Sequence, residues 1–220
     1  MKASLEVAVF SLTAALQAAR CDIQRLELCS DYEKGGLSPT FEDLASLKKS
    51  SSIPVYVMLR NRADFSCYAT DFKHLLREMN EFKAIGADGF VFGFLSDDRT
   101  LNEKFNRGLL EEAELPCTLH RCIDHTLNPL GALEAAETWG FSQVLSSGGE
   151  SNALLGMKNL EKWRQHTKMT IIAGGGIRSS NLFELKQNTN LAWFHSAALT
   201  GHGFEPDQKE INKMLQVLSE

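Results

Sequence analysis

Long apolar runs are missing from this sequence. No stretch approaches the roughly 18 residues that a helix needs to cross a bilayer. The first twenty residues, MKASLEVAVFSLTAALQAAR, are interrupted by Glu6, and no cleavage-type site follows them. A signal peptide would need a continuous apolar core and such a site. We therefore expect no membrane partner and no secretory leader.

An excess of positive charge is also missing. The formal net charge is −5, and acidic residues are spread along the whole chain. A nucleic-acid-binding protein typically carries a basic face. We therefore expect a small molecule or a metal ion, and not a nucleic acid, as the partner of this protein.

The cysteines do not have the spacing of a disulfide framework, and the chain has no CxxC, CxC or His/Cys cluster. Their number is odd: Cys21, Cys29, Cys67, Cys117 and Cys122. This pattern predicts reduced thiols in a cytoplasmic protein. Cys29 and Cys67 follow neighbouring predicted strands, and soft thiolates in a reducing compartment suit Cu(I). A buried cysteine that only fills space is the alternative.

The composition suits a globular core, with 43% hydrophobic residues and no linker in 220 residues. Eight short β-branched or aromatic runs alternate with longer amphipathic stretches, about 20 to 35 residues apart, the room that a strand, a helix and two loops require. The runs begin near Leu5, Arg25, Val55, Gly89, Cys117, Gln143, Thr170 and Ala192. We predict an α/β protein with one (β/α)₈ TIM-type barrel domain over residues 1–220; an open doubly wound sheet is the alternative.

Helix boundaries have recognisable signals between these runs. Ser11 and Thr40 stand where N-caps are expected, and Asn128 precedes a proline at the first helical position. Gly140 follows the fifth amphipathic stretch as a predicted C-cap.

Alternation along the strands predicts which side chains enter the barrel. Leu26 and Leu28 fit the helix-facing side, so Glu27 and Cys29 point inwards. The same reasoning on the other strands predicts an inward ring of Glu6, Glu27, Arg60, His120 and His195. Buried charges must pair or meet a ligand. We expect an ion pair between Glu27 and Arg60, and the ring is either a closed structural network or a functional site.

The loops after the strands carry further candidate residues. His120, Arg121 and Asp124 lie within five positions of one another and offer an acid or base, an anion clamp and an orienting carboxylate. Glycine-rich segments follow the sixth and seventh strands, where backbone amides of barrels often hold anions. The predicted catalytic residues are therefore Glu27, Arg60, His120, Asp124 and His195, and the predicted ligand-binding residues are Arg121, Ser147, Gly148, Gly174 and Gly175.

Several segments taken together resemble one family. In chain order they are RLELC, GGLSP, MLRNRADFSCY, LHRCID with NPL, VLSSGGES, IIAGGGIR and FHSA, from near residue 5 to near residue 200. In this set and order the chain resembles the CutC family of copper homeostasis proteins. One departure is the short HGFEPDQ link after FHSA, where longer loops belong to the family pattern.

The resemblance implies a TIM-type barrel, a cytoplasmic location, a homodimer or higher homo-oligomer, and a part in copper homeostasis, but no known reaction. The first hypothesis is therefore a copper-handling protein with Cys29 and Cys67 as ligands of copper(I). The second, drawn from the inward charges, is an enzyme acting on a small carboxylate or phosphate with Glu27 or His120 as acid–base group. A scaffold with an inert polar mouth is the third.

Overall fold

The strands form a closed parallel barrel in the computed structural model, which describes residues 3–201 and 203–220. Met1, Lys2 and His202 lie outside the described residues. Each strand pairs with the next one along the chain, and the last pairs with the first. The strands are β1 (Ser4–Val9), β2 (Arg25–Leu28), β3 (Val55–Met58), β4 (Gly89–Phe92), β5 (Cys117–Leu119), β6 (Gln143–Ser146), β7 (Thr170–Ala173) and β8 (Trp193–Ser196). The predicted (β/α)₈ TIM-type barrel is thereby confirmed.

One α-helix follows each strand. The helices are α1 (Leu12–Ala18), α2 (Phe41–Ser50), α3 (Ala69–Ile85), α4 (Glu103–Ala113), α5 (Pro129–Trp139), α6 (Met157–His166), α7 (Ser179–Thr189) and α8 (Gln208–Ser219). The predicted caps are confirmed: the side chains of Ser11, Thr40 and Asn128 each accept a backbone N–H of the first turn. Gly140 ends α5 in the left-handed conformation, with φ of 112°.

The main core lies between the barrel and its helices, and it is built by one parity of each strand. Leu26, Leu28, Val55 and Val57 are fully buried there. The other parity fills the barrel, where a smaller apolar cluster is formed by Phe10, Cys29, Tyr56, Met58 and Val91. The alternation predicted from the sequence for β1, β2 and β3 is confirmed, so polar residues of this second parity must also lie inside the barrel.

An arginine that the sequence analysis did not single out lies inside the barrel at the start of β2. The guanidinium of Arg25 lies over the Tyr56 ring at 3.9 Å and over the Trp193 ring at 4.4 Å from the ring centroids. Its Nε donates to the Glu6 carboxylate at 2.5 Å. Glu6 is 1% exposed and Arg25 is 3% exposed. Pairing and stacking together make this buried charge tolerable.

Among residues 3–201 and 203–220, no helix is both long enough and apolar enough to cross a membrane.

Replacing Arg25 tests whether the barrel depends on this pair. Arg25→Met leaves Glu6 buried with His195 as its remaining charged partner, and we expect a loss of about 3 kcal/mol in the free energy of unfolding, the lower end of the range for a broken buried pair. Urea denaturation measures it. Arg107→Met, which removes an exposed helix pair to Glu103, is the matched control and should change stability by less than about 1 kcal/mol. Equal stability of the two variants would contradict the role of Arg25.

Candidate functional site

A cavity of about 700 Å³ opens where the strands end. Its volume suits a small molecule, and the C-terminal face is where TIM barrels carry their active sites. The cavity brings together six residues predicted from the sequence: Glu27, Arg60, His120, Arg121, Gly175 and His195. It also contains Tyr32 and Phe65 from the loops after β2 and β3, together with Arg178 from the loop after β7.

Glu6, His195 and Glu27 form a connected group on β1, β8 and β2. His195 Nδ1 lies 2.7 Å from Glu6 Oε1, and His195 Nε2 lies 3.8 Å from Glu27 Oε2. Strand register explains the contact, because Glu6 pairs with His195 across β1 and β8, and Ala8 pairs with Glu27 across β1 and β2. One side of the imidazole is thus firmly held, whereas the other faces Glu27 across a gap too long for a hydrogen bond.

The pKa values of the two carboxylates in this group are shifted in opposite directions. Burial raises the pKa of Glu6, but the charge of Arg25 and the hydrogen bond with His195 outweigh it and bring that pKa below its ordinary value. Burial also raises the pKa of Glu27, and the nearby Glu6 charge raises it further, so it ends above its ordinary value despite His195. Within one site, Glu6 therefore favours the ionised form and Glu27 the protonated form, although both are buried carboxylates.

His120 is held in its neutral form. Burial, reinforced by the charge of Arg60, lowers the pKa of His120 to about 3. The Cys122 backbone N–H donates to its Nδ1 at 3.3 Å, so the neutral ring carries its proton on Nε2. Nε2 is buried and has no hydrogen-bond partner among residues 3–201 and 203–220. His120 thus presents an unused donor in a residue that lines the cavity.

The expected ion pair between Glu27 and Arg60 is wrong. No ion pair joins them in the described part of the chain, and Arg60 instead donates to the carbonyl oxygens of Gly35, Gly36 and Ala63. Arg60 lies two positions beyond the end of β3, so its guanidinium reaches the loops above the barrel and packs over the Phe65 ring at 4.7 Å. Of the predicted ring, only Glu27, His195 and Glu6 form one connected charged group.

Asp124 lies behind the cavity wall and organises two loops. Its side chain is 4% exposed and forms an ion pair with Arg121 at 2.9 Å. It also accepts the backbone N–H groups of Ser147 and Gly149 and the hydroxyl groups of Ser146 and Ser147. This carboxylate therefore takes the backbone amides that an anionic ligand would use. Any catalytic part of Asp124 would act through Arg121, which does line the cavity.

The predicted glycines differ in where they lie. Gly175 lines the cavity with φ of 99°, and a Cβ there would come within 3.3 Å of the Arg121 guanidinium. Gly148 has φ of 74°, and a Cβ there would be 2.4 Å from the Gly156 carbonyl oxygen. Gly148 is thus required by close backbone packing. Ser147, Gly148 and Gly174 are not among the residues that line the cavity, and their ligand-binding role stays a prediction.

The predicted copper ligands Cys29 and Cys67 are both buried thiols. Cys29 Sγ donates to Glu27 Oε2 at 3.5 Å. Burial, together with the Glu27 charge, raises the pKa of Cys29 well above its ordinary value, and burial raises the pKa of Cys67 to about 12. Among the described residues, the one group of three or more metal-ligand side chains is Glu6, Glu27 and His195, without a thiol. Because the thiolate is the form that binds metal, copper(I) binding at either cysteine would release the proton of a buried thiol, and the role of Cys29 and Cys67 as copper ligands stays a prediction.

Two arginines of the site were not proposed from the sequence, although each left a signal. Arg25 precedes Glu27 by two positions on β2 and therefore has the same inward parity. Arg178 ends the segment IIAGGGIR and donates to Ser196 Oγ and to the carbonyl oxygens of Ile177 and Leu199. The rings of Phe65 and Tyr32 carried no comparable signal, because aromatic residues in loops are common.

Fold and cavity together define a class: a TIM-barrel protein with ionisable groups converging on a small-molecule-sized cavity at the C-terminal face. The model of the CutC family matches residues 3–200. The chain is 35% identical to the human copper homeostasis protein cutC homolog over 198 residues, covering 88% of this chain and 72% of that protein. It is 34% identical to a family protein CutC of Xanthomonas campestris, covering 88% and 82%. This chain belongs to the CutC family.

A solved crystal structure has the same fold. CutC from Streptococcus agalactiae superposes with a TM-score of 0.84 at 20% identity, covering 90% of this chain and all of that one. At that identity the likeness shows the shared fold.

The neutral state of His120 gives a pH prediction. Its folded pKa of about 3 lies below the ordinary 6.5, so the unfolded chain binds a proton that the folded chain refuses between those values. The stability that this group contributes is complete above pH 6.5 and is lost as the pH falls toward 3. NMR should show an unprotonated His120 ring from about pH 8 to about pH 4.

His120→Gln serves as the control for that measurement. It identifies the His120 signal by its disappearance and should flatten the dependence of stability on pH between about 4 and 6.5. A His120 ring that titrates near 6.5 in the folded protein would refute the neutral, buried state.

Proposed function

We propose that the cavity binds a small anionic molecule, a carboxylate or a phosphate, and that Glu27 and His120 move or polarise protons on it. The observation that carries this proposal is a pair of buried polar atoms, Glu27 Oε1 and His120 Nε2, to which no described residue offers a hydrogen bond, in two residues that line one cavity. Buried polar atoms are almost always satisfied within a folded chain. A ligand that accepts from His120 and donates to Glu27 would satisfy both.

The charges around the cavity support an anion. Among the described residues, its lining includes the cations Lys34, Arg60, Arg121 and Arg178 and two carboxylates, Glu27 and Glu33, although the chain as a whole has a net charge of −5. Guanidinium groups suit planar carboxylates and phosphates. A cavity of this sign inside an acidic protein concentrates anions near the barrel mouth.

The proposed role of each side chain follows from its charge and from the donor or acceptor atom that it leaves unpaired. His120 donates from Nε2 and can stabilise negative charge on a carbonyl or phosphoryl oxygen as a neutral electrophile. Glu27 is the proton acceptor, and His195 lies beside it, fixed by Glu6. Arg60 and Arg121 hold the anion, Arg121 being itself positioned by Asp124.

Copper handling is the second candidate, and the names of the relatives favour it. The human relative is named a copper homeostasis protein, and Cys29 Sγ lies 3.5 Å from Oε2 of Glu27, which lines the cavity. Copper(I) bound by Cys29 and Cys67 would have to displace the proton of each buried thiol. A cytoplasmic location and assembly into a homodimer or higher homo-oligomer belong to this proposal as well.

Two substitutions, one that removes a positive charge from the cavity and one that removes a negative charge, test anion binding. Inorganic phosphate and malonate are titrated into the protein by calorimetry. Arg121→Met removes a cation from the cavity wall, and we expect affinity to fall by about tenfold, the loss of one charge-assisted hydrogen bond. Glu27→Gln removes a carboxylate and should leave affinity equal or higher. Arg107→Met, on the outer surface, controls for net charge. Affinities that follow net charge alone, with Arg107→Met as weak as Arg121→Met, would overturn the proposal.

Copper binding has its own test. Copper(I) is titrated anaerobically against a competing chelator into the parent protein and the double variant Cys29→Ser, Cys67→Ser. If these thiols bind copper, affinity should fall by at least about tenfold. Cys117→Ser, at a buried cysteine on the helix-facing side, is the matched control. Equal affinity of all three proteins would remove Cys29 and Cys67 as ligands.

A further inference from the structure

Glu6, Glu27 and His195 have the side-chain types and the spacing of a metal site. Each residue offers one metal-ligand atom, and the three atoms lie within 4.8 Å of one another. They come from three neighbouring strands of a closed barrel, so their separation is set by strand pairing and not by a loop. A ligand set on rigid strands needs little rearrangement to accept an ion.

The two sides of the His195 ring differ in a way that a metal would explain. Nδ1 is held by Glu6 at 2.7 Å, whereas Nε2 stands 3.8 Å from Glu27 Oε2. Metal–nitrogen and metal–oxygen bonds of about 2.0 to 2.2 Å span such a gap when the ion sits between the two atoms. A ligating histidine usually gives its other ring N–H to a carboxylate, which is the position that Glu6 occupies.

A second observation points to the same place. Glu27 is 3% exposed, lines the cavity, and has one carboxylate oxygen, Oε1, without any hydrogen-bond partner. A buried carboxylate oxygen left unsatisfied is unusual in a folded protein. No group in the described part of the chain pairs with this oxygen, so a bound ligand is left to do so.

We propose that Glu27 and His195 Nε2 bind a divalent transition-metal ion such as Zn²⁺, Co²⁺ or Mn²⁺, with Glu6 as the outer partner that orients His195. Carboxylate and imidazole are donors for such ions, whereas copper(I) prefers thiolate and thioether sulfur. The donor types therefore differ from those of the pair Cys29 and Cys67, although Cys29 Sγ lies 3.5 Å from Glu27 Oε2.

The Arg25 guanidinium is the charge that opposes a cation here. It forms an ion pair with Glu6 at 2.5 Å, so these two side chains form a nearly neutral pair and Glu6 is withdrawn from direct ligation. When the ion binds, the imidazole keeps its Nδ1–H on Glu6, releases any proton on Nε2 to solvent and offers the Nε2 lone pair, and the Glu27 carboxylate supplies the remaining negative charge. With two protein ligands, the other coordination positions face the cavity and can take water or the anion.

The inference shares the cavity of the proposed function but does not require an anion, so the two can fail separately. Co²⁺ is titrated into tag-free protein without phosphate or malonate, and visible absorption reports its coordination. We expect one equivalent to bind. Glu27→Gln should weaken binding by at least about tenfold, and Glu6→Gln, which removes the outer carboxylate, by about 10- to 100-fold. Glu33→Gln, an exposed carboxylate of the same cavity, is the matched control and should bind as the parent does.

A measurement on the unaltered protein removes dependence on variant folding. Mn²⁺ added at less than one equivalent should broaden the NMR signals of the His195 ring while leaving those of the exposed His74 ring sharp, because paramagnetic broadening falls steeply with distance. Absence of stoichiometric Co²⁺ binding, equal binding by Glu27→Gln and Glu33→Gln, or equal broadening of both histidines would each overturn the metal site. Anion binding that survives any of these results would leave the proposed function standing without a metal.

Discussion

The ion pair between Arg25 and Glu6 is the contact on which the rest of the site depends. Two opposite charges, both almost completely buried, lie 2.5 Å apart inside the barrel. An uncompensated charge at this depth would be too costly to keep ionised. Because Arg25 keeps Glu6 negative, Glu6 can hold Nδ1 of His195, and His195 then presents Nε2 toward Glu27. Each contact in this series places the next one closer to the cavity.

The upper part of the barrel follows a different rule, since its arginines are held by groups of the loops and not by Glu27. Arg60 is held by backbone carbonyl groups and Arg121 by Asp124. Neither arginine neutralises Glu27. The Glu27 carboxylate and the neutral His120 imidazole therefore each keep one polar atom without a hydrogen bond from the described residues, beside a rim of cations. A closed structural network would satisfy both atoms. The inert-scaffold hypothesis accounts less well for these unpartnered atoms than a binding site does.

Membership of the CutC family and the chemistry of the barrel interior point to different ligands. The names of relatives refer to copper homeostasis, yet burial and, for Cys29, the nearby Glu27 charge hold both candidate thiols in their protonated form. The oxygen and nitrogen donors of Glu27 and His195, by contrast, come from β2 and β8, the two strands that flank β1 in the barrel. The anion and divalent-metal proposals therefore rest on the polar side chains of the cavity, whereas the copper proposal rests on the names of the relatives and on the two buried thiols.

The sequence by itself determined the fold, because eight strand patterns, their helix caps and their alternation are local properties repeated often enough to be read one by one. Alternation also placed Glu6, Glu27 and His195 inside the barrel, since parity alone decides which face a strand residue takes. Parity does not say which inward charges meet. That depends on strand register and on how far each side chain lies along its strand, so Arg60 was paired with Glu27 in error while Arg25 went unnoticed. Only the tertiary structure decided that Arg25 neutralises Glu6, that Asp124 serves the loops, and that Glu27 and His120 keep a free polar atom each, because these are contacts between residues far apart in the chain.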